Sequence, residues 1–327
     1  MRLQLAILIA ALPVIQAAAQ LESPRLRSQE DETTIYIGEQ PVLTYVNAET
    51  PPPEGVDPIF KRSAYIHPLR SPGGECLTRI QPPDHRHHYG IWNPWTHTHF
   101  DGRKVDFWNL GERQGTVRFA EYLEKTEGEN LAGFLVRQEH VYFKEDGGEG
   151  VAMNETWGVT VKNLGGQAYM VDLVTTLSTP LEGGITLEEY RYGGGLGYRG
   201  TERWNPENAT VLTSEGGTWA DADATHARWV IIEGESSVPE GRSGILFMSH
   251  PGNRSHPEPM RMWPPDMNGG KENMFFEFCP IHLTTSFRSM WEIVGQHTDF
   301  PFIDTFERLA TFDLSQYCFV NYHCCHE

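Results

Sequence analysis

Residues 136–177 read VRQEHVYFKEDGGEGVAMNETWGVTVKNLGGQAYMVDLVTTL. Three segments rich in β-branched and aromatic residues, 136–143, 156–161 and 169–177, are separated by Asp146-Gly147-Gly148 and by Asn163-Leu164-Gly165-Gly166. Apolar and polar residues partly alternate within each segment, which is the period of a strand with one buried face. The Gly-rich dipeptides between them supply the backbone freedom that tight hairpins need. The stretch predicts long antiparallel strands joined by hairpins.

The same signature recurs at 33–37 (TTIYI), 42–46 (VLTYV), 116–122 (TVRFAEY), 229–232 (WVII) and 245–248 (ILFM), with further glycine turns at Glu182-Gly183-Gly184 and Gly193-Gly194-Gly195. No sustained helical period lies between these runs. The expected class is all-β, a large antiparallel β-sandwich rather than a set of βαβ units, with residues 20–327 as a single domain. Two irregular stretches, 50–58 with Pro51-Pro52-Pro53 and 251–270, are expected to be ordered loops that line a cleft.

Met1-Arg2, a mostly apolar run to Ile15 and Ala17-Ala18-Ala19 follow the order of a secretory signal peptide, expected over residues 1–19. The protein is therefore expected to be secreted or periplasmic. That run, like every later one, falls short of the roughly 18 apolar residues of a spanning helix, so no membrane span is expected. A formal net charge of -18 argues against nucleic acid as a partner, because phosphate polyanions need clustered Lys and Arg. Of the five cysteines, Cys76 and Cys279 fit either a disulfide or two buried thiols, while Cys318, Cys324 and Cys325 cluster together.

The densest chemistry lies in Pro82-Pro83-Asp84-His85-Arg86-His87-His88-Tyr89-Gly90-Ile91-Trp92, with His97, His99 and Asp106 close behind. In an extended chain His85 and His87 would share one face, opposite Asp84 and His88, unless a turn at Pro83 or Gly90 regroups them. Two imidazoles on one face suit an acid and a base, or two ligands of a divalent metal completed by Asp84 or Asp106. His97 and His99 repeat the spacing of two and offer to extend the set. Asp84 fits both an imidazole-orienting role and a turn cap; Gly90 fits a backbone geometry closed to other residues. Trp92, Trp95 and Trp108 are candidates to stack on a sugar ring, with core burial expected for at least one.

Farther along, Arg191 and Tyr192 precede a glycine run that lacks the ending of a phosphate loop, so a hairpin carrying both into a cleft is expected. Arg191 there suits a uronate, a hydroxyl or a structural ion pair. His250 and Asn253 stand on a His-Pro-Gly-Asn turn that offers a third imidazole. Glu155, Glu188, Glu189 and Glu277 are expected near strand ends. Glu277, inside Phe275-Phe276-Glu277-Phe278, is a proton donor if buried and otherwise a solvent-facing acid, the second being favoured.

His67-Pro68-Leu69, residues 74–79, Pro82-Pro83-Asp84-His85, His87-His88-Tyr89-Gly90, Asp106-Phe107-Trp108, Arg191-Tyr192-Gly193-Gly194 and residues 244–253 appear in an order that resembles the PmoA-like family of exported bacterial proteins. That family is often labelled methane oxygenase PmoA, and also described as a domain of unknown function. The resemblance covers about residues 34–287. Met260-Arg261 stands where that family commonly has a Trp-His pair, and the sequence from about 289 departs from the family's usual ending; a shortened ending would leave the sandwich without a terminal strand and expose a sheet edge. Methane oxidation in a membrane subunit would need several apolar spans, which this chain lacks.

At fold level the family resembles the β-supersandwich of aldose epimerases, the galactose mutarotase-like type, where histidines and a carboxylate meet on a concave sheet. The resemblance implies a carbohydrate-active enzyme performing epimerisation, hydrolysis or elimination. The implied catalytic set is His67, His85, His87, His88, Arg191 and His250, with Trp92, Trp108, Tyr192 and Asn253 binding substrate. Two other readings use the same residues: a metal-dependent oxygenase or hydrolase with Asp84, His85 and His87 as ligands, and a noncatalytic glycan-binding module.

Overall fold

The computed structural model describes residues 22–325, apart from 94, 166–167, 239, 254, 268–273, 279–284 and 288–316. The expected signal peptide at 1–19, Cys279 and most of the divergent C-terminal segment lie outside the described residues.

The all-β sandwich is borne out. One sheet of eight strands runs in the order Ala209–Thr213, Trp229–Ser237, Glu240–Ser249, Tyr317–Cys325, Ala168–Ser178, Glu149–Gly165, Leu131–Phe143 and Gly115–Glu127. The opposing sheet of nine is built from Pro24–Ser28, Glu32–Ile37, Gln40–Val46, Tyr65–Leu69, Ile91–Trp92, Leu196–Arg199, Phe275–Phe278, Glu258–Met262 and His226–Ala227. A small sheet of four, from Thr285–Phe287, Ile185–Leu187, Thr98–Phe100 and Arg103–Val105, flanks them. No described helix is long and apolar enough to cross a membrane.

Alternation explains the packing. In Glu149–Gly165, residues 153, 155, 157, 159, 161 and 163 are buried and the residues between them are less so. The buried row of this strand meets Val42, Leu43 and Tyr45 of the opposite sheet in one continuous core. Tyr45 and Trp157 touch across it, with ring centroids 6.4 Å apart. At the hairpin, Lys144 N donates to Gly148 O (2.8 Å) and Gly147 takes φ +82°, as the glycine pair requires.

Glu155 lies in the middle of its strand and faces the core, rather than standing at a strand end. Its fully buried carboxylate accepts from Trp157 Nε1 (2.7 Å), Thr175 Oγ1 (2.5 Å) and the Asn93 amide, and pairs with His140 Nε2 (2.9 Å). Asn93 follows Ile91–Trp92 of the other sheet, so this network ties the two layers together and satisfies a buried acid.

The C-terminal strand corrects an expectation. Tyr317–Cys325 sits inside the eight-stranded sheet, parallel to both Ala168–Ser178 and Glu240–Ser249. It fills the centre of the sheet, where an absent strand would have left an exposed edge. Cys76 and Cys318 are free thiols.

Candidate functional site

The loop that carries the histidines is closed like a hairpin. Gly90 N donates to Arg79 O, Gln81 N donates to His88 O (both 2.8 Å), and Ile80 bridges Tyr89. Within it, His85 N donates to Pro82 O (3.1 Å) and His88 N donates to His85 O (3.0 Å), so residues 82–88 form two successive turns. Pro82 and Pro83 have fixed φ and favour this folding over an extended run. The alternation expected for an extended chain is therefore replaced: His85, His87 and His88 gather into a triangle, with ring centroids 4.8 to 5.4 Å apart. Gly90 makes the return possible. It takes φ +60°, and a Cβ there would lie 2.3 Å from Ile66 O.

The triangle lines a cavity of about 290 Å³, near the lower end of the ~300–1,000 Å³ range of small-molecule sites. Aromatic walls come from Trp108, Tyr192, Trp263 and Phe275, and Asn109, Met267, Arg191 and Arg261 complete the lining. His88 stacks on Phe275 (5.0 Å), and His85 lies 4.6 Å from the Trp263 ring. Among the described residues no Asp or Glu side chain lines the space.

Each wall has a local cause. Asp106 Oδ1 accepts from Trp108 N (2.8 Å) and Asn109 N (2.9 Å), while its Oδ2 accepts from Asn109 Nδ2 (2.6 Å) and Thr96 Oγ1 (2.7 Å). This aspartate is spent on a turn that presents Trp108 and Asn109, which removes it from any ligand set. Glu277 is buried, against the favoured expectation of a solvent-facing acid, because all of Phe275–Phe278 is covered on both faces. Its Oε1 accepts from Gly193 N (2.8 Å) and Gly194 N (3.1 Å), anchoring the loop that brings Arg191 and Tyr192 to the cavity. Three consecutive glycines with positive φ, Gly193 to Gly195, let those amides converge on one carboxylate.

The two imidazoles are held through Nδ1 in opposite senses. Asp84 Oδ2 lies 3.0 Å from His85 Nδ1 and accepts from Arg199 Nη2 at 2.6 Å. A carboxylate only accepts, so His85 donates to it from a protonated Nδ1, which leaves Nε2 as the ring nitrogen available to a ligand. Burial pushes the Asp84 carboxyl up, but the bond to His85 and the Arg199 charge outweigh it and hold the group below the ordinary range. Arg199, wholly buried, also places Nη1 3.3 Å from His88 Nδ1. A guanidinium only donates, so His88 accepts at Nδ1 and keeps its proton on Nε2. Burial, reinforced by neighbouring cationic groups, pulls His87 down to about 3 and His88 well below its usual value, so both stay neutral. The site thus sets the His85 ring, its Nδ1–H turned to Asp84, beside the His88 ring with its Nε2–H donor, their centroids 4.8 Å apart.

Of the residues named from sequence, His85, His87, His88, Arg191, Trp108 and Tyr192 come together here. Trp92 backs the cavity, 5.0 Å from the His88 ring, without reaching it. Trp95 belongs to the main core. His67 is tied to Thr78 Oγ1 (2.9 Å) outside the lining, and burial lowers it to about 4. His250 and Asn253 also stay outside it: Asn253 Nδ2 bonds Glu258 Oε1 (2.8 Å) and Tyr322 O (3.0 Å), and His250 Nδ1 accepts from Gly252 N (3.0 Å). His97 and His99 face Glu188 instead, at 3.7 and 2.8 Å.

Asp84, His85 and His87 do not meet as a metal set, since the carboxylate is committed to Arg199 and the His85 Nδ1. Among the described residues no three His, Cys, Asp or Glu side chains converge to hold an ion. Sequence reasoning missed Arg199, Arg261, Trp263, Asn109 and Met267. The signal for Arg261 and Trp263 was their place in the long irregular stretch 251–270, expected to line a cleft; the stretch 50–58 instead gives a backbone acceptor, Pro51 O, to Gln81 (3.3 Å).

No curated protein and no solved structure matches the chain. Residues 32–287 match the model of a family of unknown function, DUF6807, so the chain belongs to that family.

Proposed function

We propose that the protein is an exported enzyme that uses His85 as base and His88 as hydrogen-bond donor on a single sugar ring. One observation carries the reading: two adjacent imidazoles, held through Nδ1 in opposite senses by Asp84 and Arg199, at the edge of an aromatic-walled cavity. The axial C–H faces of a pyranose are apolar enough to prefer Trp108 and Trp263 to water. Asn109 and Tyr192 supply polar groups for hydroxyls. His85 Nε2 takes a proton from a sugar carbon or hydroxyl, and His88 Nε2–H donates a hydrogen bond that steadies an oxygen on which charge develops. Asp84 stabilises the His85 imidazolium that forms, and Arg199 keeps Asp84 ionised. This is the chemistry shared by epimerisation, hydrolysis and elimination. The resemblance to PmoA-like exported proteins, and through them to aldose-epimerase-type sandwiches, supports the carbohydrate class, as the signal-peptide pattern supports export.

The test is turnover on a panel of pyranoses, uronates and aryl glycosides, followed by NMR in D2O to detect exchange at ring carbons. Expected is a product whose formation falls by about 10²-fold or more in Asp84→Asn and His85→Ala. Sugar binding without product or exchange on any panel member would overturn the enzymatic reading in favour of a binding module. Turnover abolished by a chelator and restored by one divalent metal would overturn the metal-free assignment of His85.

A further inference from the structure

The cavity combines features that set it apart from the rest of the molecule. The chain carries a net charge of -18, yet among the described residues no carboxylate lines this space. Of the two arginines at its wall, Arg261 pairs with Asp223, which also accepts from Met262 N at 3.0 Å. Arg191 makes no ion pair or hydrogen bond among the described residues; its guanidinium lies 5.9 Å from the Tyr190 ring centre and 5.6 Å from that of Tyr192. Burial holds His87 and His88 neutral, and His85 is paired with Asp84. Among the described residues, Arg191 is therefore the arginine of this aromatic cavity without an acidic partner, in a protein whose mean field repels anions.

We propose that the cavity takes a sugar bearing one carboxylate, a uronate, and that Arg191 receives that carboxylate. The inference rests on the carbohydrate reading above and narrows it. A planar guanidinium matches a carboxylate with two parallel N–H bonds, which a hydroxymethyl group cannot accept. Glu277 fixes the Gly193 and Gly194 amides, so the segment bearing Arg191 is held in place before a ligand arrives and less ordering is needed on binding. The negative surface elsewhere disfavours a polyanion running across the protein, which selects a monosaccharide or a chain end over an internal polymer segment.

The test is calorimetric titration of the full protein with D-glucuronate, D-galacturonate, their uncharged uronamides, the methyl glycosides of glucose and galactose, glucose 6-sulfate and cyclohexanecarboxylate. Expected is binding of one of the two uronates about tenfold tighter than its uronamide and neutral counterpart, with the advantage shrinking as salt rises. In Arg191→Gln the difference between uronate and uronamide disappears; in Arg191→Lys part of it remains. Thermal melts matched to wild type show that both variants fold. Uronamides and neutral glycosides binding as tightly as uronates would overturn the proposal while leaving the carbohydrate reading in place. Glucose 6-sulfate binding in preference to both uronates would overturn the carboxylate. Cyclohexanecarboxylate binding as tightly as a uronate, or no binding by any probe, would overturn the proposal together with the carbohydrate reading.

Discussion

Asp84→Asn keeps the shape of the side chain and removes its charge, so it isolates what the carboxylate contributes. In the wild type, Oδ2 serves two donors, the His85 imidazole and a guanidinium that is completely buried. The amide oxygen can still accept from Arg199, but the charge assistance is lost, and a charge-assisted bond of this kind contributes about 1.5–3 kcal/mol. Asp84 is 22% exposed, which places the expected loss toward the lower end, about 1.5 kcal/mol or a few degrees in melting temperature. The sign of the pH dependence follows from the direction of the shift. The folded protein favours the ionised carboxylate, so the stabilisation is complete above the unfolded-chain value of about 3.9 and is lost as pH falls below it toward the lower folded value. Urea denaturation of wild type and variant at pH 7, 5 and 3 checks this: the gap should be constant from pH 7 to 5 and narrow by pH 3. Equal stability at pH 7, or a gap that stays the same on acidification, would refute the ion pair as the element that holds the histidine loop.

Three other substitutions probe different parts of the molecule. Arg62 is 1% exposed, and its Nε, Nη1 and Nη2 have no hydrogen-bond partner among the described residues. Burial pulls it down to about 10, so Arg62→Met should leave stability unchanged or raise it by about 1–4 kcal/mol in chemical denaturation, and a clear loss would contradict this. Glu258 is fully buried and pushed up to about 8, so the folded state favours its protonated form; its contribution is full below about 4.5 and is lost as pH rises to 8. Glu258→Gln should therefore melt like wild type at pH 4.5 and above it at pH 8.5, whereas equal melting at both values would exclude the raised group. Gly90→Ala should lose at least about 2 kcal/mol, because the new methyl meets the Ile66 carbonyl in a positive-φ backbone; a stability loss below about 0.5 kcal/mol would show that the loop can relax.

Strands were legible because their information is local. The alternation in residues 153–163 and the glycine pairs at the hairpins are read within a dozen residues, and they place a buried face and its turns without knowledge of the partner sheet. The His85-His87-His88 cluster was legible by density alone, and its turns were announced by Pro82-Pro83 and Gly90. Glu155 and Glu277 were misplaced for one reason: the sequence around each gives no sign of the donors, Asn93 and the Gly193 and Gly194 amides, that arrive from far along the chain. Asp106 looked like a ligand because sequence does not reveal that four nearby donors consume its oxygens.

By itself, then, the sequence determined the all-β class, the hairpin turns and which loop carries the imidazoles, since these follow from periodicity, fixed φ and composition over short spans. Tertiary structure alone decided that Tyr317–Cys325 would lie in the middle of a sheet, parallel to both neighbours. It also decided that Arg199, more than a hundred residues from Asp84, would set the hydrogen bonding of two histidines. Strand order and buried ion pairs depend on which distant segments meet, and hydrogen-bond direction at an imidazole depends on the partner that reaches it.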